Sequence, residues 1–134
     1  MTCSAQTREL AVAAAKAAAD KLGTDPVLVD VSERLALADA FLIVSAPTSR
    51  QVRAIGEEIM DQLARDRGVR PQRIEGRTEA EWMLIDYLDL VVHVFDQEQR
   101  EYYALEKLWG DGAVESLTDE VTPAVHPATG EAIR

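Results

Sequence analysis

The sequence has one cysteine, two histidines, seven glycines and only 5% aromatic residues, and each scarcity excludes something. Cys3 has no partner within the chain, so a disulfide framework is ruled out and a reducing compartment fits best. One cysteine and two distant histidines, His93 and His126, cannot assemble an ordinary zinc site, and no metal is expected. No glycine-rich loop precedes a helix in the manner of a phosphate cradle, and no nucleotide cofactor is expected. No apolar run approaches membrane-spanning length. The alanine-rich start carries Glu9 and Asp20, which argues against a transit peptide, and the default compartment is the cytoplasm. Positive charge is also short: the formal net charge is −10, a field that repels nucleic acid and attracts a basic protein surface.

What remains is ordinary globular material. The 134 residues suit one domain, and 47% hydrophobic content supports a core without staples. Ser4 to Leu22 is dominated by alanine, the best helix former, and Gly23 follows as a stop. Val27–Val31 and Phe41–Val44 read as strands, the second expected to be covered on both faces. Thr48 with Gln51 forms the pattern of a capping box for a helix that Gly68 stops. Its Val52, Ile55, Ile59 and Leu63 give a core-facing stripe. A short strand at Arg73–Glu75 precedes two strong ones, Trp82–Tyr87 and Leu90–Phe95, joined as a hairpin at Leu88-Asp89. Asp96 with Gln99 opens a last helix that carries Tyr102, Leu105 and Trp109 on one side and ends at Gly110. The expected architecture is α/β: one domain over residues 1–110, a mixed β-sheet with flanking helices. Residues 111–134 lack periodicity and read as a disordered tail.

Several groups of residues bear on chemistry. Asp86 and Asp89 are spaced to hold a divalent cation, which leaves a metal-dependent nucleotidyltransferase as the alternative function. Set against that, they flank a hairpin turn, where aspartate is favoured for its own local hydrogen bonds. His93, mid-strand between valines, reads first as a structural histidine and second as an interface residue. His126 lies in the expected tail. The arginines between Arg50 and Arg73 are interleaved with acids and read as a solvated face. Trp82, Tyr102, Tyr103 and Trp109 fall in one C-terminal region and suit either a core or an interface.

Several blocks together resemble one known family. Asp39-Ala40-Phe41-Leu42-Ile43-Val44-Ser45, Arg50-Gln51-Val52-x-Ala54-Ile55 and Glu75-Gly76 are followed by Trp82, Asp86 and Asp89-Leu90-Val91-Val92-His93-Val94-Phe95. Arg100-x-Tyr102-Tyr103-x-Leu105-Glu106-x-Leu108-Trp109 completes the set, and in order and spacing it resembles the ribosomal silencing factor S (Iojap-like) family over residues 5 to 110. The resemblance implies a nucleotidyltransferase-like fold without the catalytic apparatus, and hence no enzyme. It implies binding to the large ribosomal subunit through large-subunit ribosomal protein fourteen. Occupying that face blocks joining of the small subunit and represses translation under nutrient limitation. It further implies a role in large-subunit biogenesis and a homodimer when free. An RNA chaperone is disfavoured by the charge. Ala46-Pro47 stands where the family commonly has glycine, so the turn into the second helix must differ. Trp82, Asp86, Tyr87 and Asp89 are expected to gather at one sheet end and grip the ribosomal protein, with Tyr102 and Tyr103 joining the patch.

Overall fold

The computed structural model describes residues 3–33, 35, 38–121, 124–125 and 132–133. Helix α1 (Ala5–Ala19) begins at Ser4, whose hydroxyl accepts the Thr7 N–H at 3.1 Å. Its small side chains let it lie close to the sheet, and Ala11, Ala14, Ala15, Ala17 and Ala18 are all buried. Strand β1 (Thr24–Asp30) pairs antiparallel with β2 (Ala40–Ala46). Helix α2 (Ser49–Arg67) buries Val52, Ile55, Ile59 and Leu63, the expected stripe, and ends at Gly68 in the left-handed conformation (φ 65°). Gly56 is buried with them, and glycine fits there because any Cβ would strike the Met83 sulfur. Strands β3 (Arg73–Glu75), β4 (Trp82–Asp86) and β5 (Leu90–Asp96) follow.

With a short sixth strand, β6 (Val114–Ser116), the sheet runs β3-β4-β5-β2-β1-β6, with β2 and β5 parallel and every other pairing antiparallel. That is the expected mixed sheet, in one domain with flanking helices. Alternation divides its side chains into two sets. Leu42, Val44, Met83, Ile85, Val92 and Val94 point toward α1 and α2 and are fully buried. Val29, Ile43 and Phe95 point the other way, with Phe41, Trp82, Leu105 and Trp109 packed against them only partly buried. No helix among the described residues is long and apolar enough to cross a membrane.

Three expectations need correction. The capping box at Thr48 does not form as such: Thr48 makes no side-chain cap bond, and its hydroxyl donates to Gln51 Oε1 at 3.2 Å. The last helix is not continuous. Helix α3 (Gln97–Tyr103) stops at Ala104, which takes the left-handed conformation (φ 46°), and a tight 3-10 turn (Leu105–Leu108) follows in a new direction. Tyr102 therefore projects outward while Leu105 and Trp109 pack inward. Residues 111–121, expected within a disordered tail, carry β6 (Val114–Ser116) and a helical turn, α4 (Thr118–Val121). The cause is the open edge of β1, whose backbone groups need partners. β6 supplies them, Leu117 is buried behind it, and Arg8 of α1 pairs with both Glu115 and Glu120. Beyond α4 a two-strand ladder joins Ala124–Val125 to Ala132–Ile133; the rest of the expected tail, with His126, lies outside the described residues.

Candidate functional site

The hairpin β4–β5 organises the candidate residues. Its two-residue turn puts Trp82 opposite Phe95, Leu84 opposite His93 and Asp86 opposite Val91. Trp82, Leu84 and Asp86 thus line one row on the face away from α1 and α2, and all three are half-buried. They do not gather at one end. Trp82 and Asp86 close opposite ends of β4, about 13 Å apart at ordinary strand rise. The expected cluster is a strip, because one strand cannot fold its two ends together.

At the far end of the strip, Trp82 is enclosed by aromatics. Its ring stacks on Phe95 at a centroid distance of 4.8 Å, and Tyr103 approaches it at 4.8 Å. Its Nε1–H donates to His93 Nδ1 at 3.0 Å. His93 is 4% exposed, with Phe41 against it edge-on at 4.7 Å. Burial alone pushes the His93 pKa down, to about 4, so its ring is neutral at physiological pH. The loop into Trp82 is tightly held. Gly76 sits at φ 77°, where a Cβ would collide with the Trp82 carbonyl, and Arg53 of α2 donates to the carbonyls of Arg77 and Thr78.

At the hairpin end, Asp86 has a local task. Its Oδ1 accepts the Leu88 N–H at 2.8 Å, which steadies a turn whose Leu88 is left-handed (φ 74°), and its Oδ2 lies 3.8 Å from Arg73. Asp89 is exposed, and its carbonyl receives the N–H groups of Asp39 and Ala40. Tyr87 faces the other way, into the core beneath the helices at 8% exposure. Its hydroxyl has no partner among the described residues, and desolvation pushes its pKa up to about 12. No group of three or more His, Cys, Asp or Glu placed to hold a metal occurs among the described residues.

Of the six expected residues, Trp82 meets Tyr103, and Tyr102 packs edge-on against Tyr103 at 5.1 Å while staying 79% exposed. Asp86 and Asp89 stay at the hairpin end, and Tyr87 is turned inward. Sequence reasoning missed the Trp82–His93 bond and the anchoring role of Arg100. That guanidinium, 11% exposed, bonds Glu106, the Ser45 hydroxyl and the Asp25 carbonyl at 2.7–3.1 Å and so clasps α3 and the 3-10 turn to the sheet. A signal for the first was present: a turn at Leu88-Asp89 fixes the register that makes Trp82 and His93 diagonal neighbours on one face.

Comparison with known proteins places this geometry among relatives. The family model described as "Ribosomal silencing factor during starvation" matches residues 4–132. The Bacillus subtilis protein named ribosomal silencing factor RsfS is 44% identical over 104 residues, 78% of this chain and 87% of that one. A mouse protein named for mitochondrial assembly of the ribosomal large subunit is 30% identical over 63% of this chain and 38% of its own length. A crystal structure of a Chromobacterium violaceum protein, 33% identical, superposes with a TM-score of 0.73 over 78% of this chain and 86% of that one.

Proposed function

Because this chain belongs to the family of ribosomal silencing factors, we propose that it docks on the large ribosomal subunit through large-subunit ribosomal protein fourteen and blocks joining of the small subunit. Translation is thereby repressed when nutrients are scarce, by occupancy and without a catalytic step. The partner places the protein in the cytoplasm, and the free protein is a homodimer.

The observation that carries this reading is the strip on the sheet face that α1 and α2 leave uncovered. Trp82, Leu84, Val91 and Phe41 are each half-buried there, an amount of apolar surface that a partner can cover. Trp82 and Tyr103 supply large aromatic anchors at one end, with Tyr102 exposed beside them. At the other end exposed Asp89 supplies a carboxylate suited to lysine or arginine of a basic ribosomal protein, and Asp86, which holds the turn, adds its negative charge beside it. Tyr87 supports the turn from beneath. Asp86 is already engaged by Leu88 N–H and Arg73, a local role that stands against the metal-dependent enzyme.

Co-sedimentation with purified subunits tests the proposal. Wild-type protein should travel with the large subunit and lower the yield of joined ribosomes. Trp82→Ala should weaken that association by about 2 kcal/mol, roughly thirtyfold, with a cooperative melt retained. A folded Trp82→Ala protein that binds as wild type overturns the anchor.

A further inference from the structure

Trp82 is a donor only, and its single N–H goes to His93. A neutral imidazole offers one bare nitrogen, so Nδ1 is the acceptor and the proton sits on Nε2. Nε2 is buried and has no hydrogen-bond partner among the described residues. An inward N–H left unsatisfied costs the fold stability, a cost that leucine or phenylalanine at the same mid-strand position would avoid. The imidazole is therefore a poor choice for packing and a good one for holding an indole. The remaining contacts of Trp82 do not replace it. Phe95 and Tyr103 bear on the ring with centroids 4.8 Å away, and contacts of that kind are made to the ring as a whole rather than to its N–H edge. The bond to Nδ1 is the directional contact, and it favours the ring flip about Cβ–Cγ that turns the Nε1 edge toward His93.

We propose that His93 is a positioning residue for docking: by accepting the Trp82 Nε1–H it sets the indole in its binding orientation before the partner arrives. The inference rests on the docking role assigned to Trp82 above. Its consequence is pre-organisation, since a side chain already ordered loses little freedom on association. His93 itself touches no partner.

The test uses nitrogen-15 spectra of the full chain together with large-subunit co-sedimentation. In wild-type protein the His93 ring should be the Nε2–H tautomer, and the Trp82 indole N–H should exchange slowly with solvent. His93→Phe, a ring without the acceptor, should release the indole N–H to faster exchange and weaken subunit binding about fivefold to tenfold while melting cooperatively. His93→Asn, whose side-chain oxygen can take the place of Nδ1, should restore both readouts. An Nδ1–H tautomer in the wild type overturns the proposal without any variant. So does a folded His93→Phe that binds as wild type, or one that binds weakly with the indole signal unmoved. Failure of the docking reading itself looks different: Trp82→Ala would then bind normally, whatever His93→Phe does to the indole.

Discussion

The two faces of the sheet are built from the same strands yet do different work. Toward α1 and α2 the alternate residues Leu42, Val44, Met83, Ile85, Leu90, Val92 and Val94 are aliphatic or methionine and fully buried, and the one ionisable side chain in register with them is Asp96 at the very end of β5. Toward α3 the intervening residues mix the aromatics Phe41, Trp82 and Phe95 with Ile43, Leu84 and Val91 and with the polar Ser45, Asp86 and His93, and the face is half-covered at Phe41, Trp82, Leu84 and Val91. Stability is concentrated on one side, and the groups able to recognise a partner on the other. Neighbouring residues of β2 show the difference most directly. Leu42→Ala should cost about 3–4 kcal/mol in urea unfolding, as a fully buried leucine with helices above it. Phe41→Ala, one residue earlier on the half-open face, should cost roughly 1–2 kcal/mol despite its larger side chain. Equal losses would mean that the second face is covered as completely as the first.

The covered face was legible in the sequence, and the open one only partly so. Val52, Ile55, Ile59 and Leu63 announced themselves by spacing, and the run Phe41–Val44 by its length and composition. The break at Ala104 left no such trace, since glycine or asparagine is the usual residue in a left-handed cap and alanine is not. β6 has three residues, Val114, Glu115 and Ser116, too few for alternation to register, and it forms because β1 presents an edge rather than from its own propensity. For the candidate site, alternation put Trp82, Leu84 and Asp86 on one face. Reading Trp82 and Asp86 as near neighbours ignored that alternate residues on one face also advance along the strand. The Arg100 clasp joins residues distant in the chain, 55 positions from Ser45 and 75 from Asp25, and only tertiary structure brings them together.

The faces should also part company as pH falls. His93 belongs to the open face and is held neutral, with its pKa at about 4 in the folded protein against 6.5 for an unperturbed histidine. As pH drops below 6.5 the unfolded chain takes up the proton first, so stability is full above that value and declines as pH falls toward 4. Between pH 7 and pH 5 this group alone should remove about 2 kcal/mol. His93→Phe deletes the titration while leaving every carboxylate in place. The stability difference between wild type and variant, from urea melts at the two values, should therefore shift by that amount in favour of the variant at pH 5. A difference that stays constant would show that His93 is not buried in its neutral form.

The smallest expected effect sharpens the comparison where it runs backwards. α2 covers the apolar face and is by far the longer helix, while α3 covers only part of the aromatic one. Yet α3 is the better secured at its start. Asp96, the last residue of β5, turns its Oδ1 onto the Gln99 N–H at 2.8 Å, whereas Thr48 makes no such bond to α2. Asp96→Ala should cost about 1 kcal/mol and Thr48→Ala only a few tenths, both by chemical unfolding. The inversion follows from burial. A nineteen-residue helix with five buried positions holds its place through packing, and its first turn can be left to solvent. A seven-residue helix with no buried residue depends on its cap and on the Arg100 clasp to stay on the sheet and keep Tyr103 against Trp82. Thr48→Ala costing as much as Asp96→Ala would mean that the Thr48–Gln51 capping box forms in solution after all.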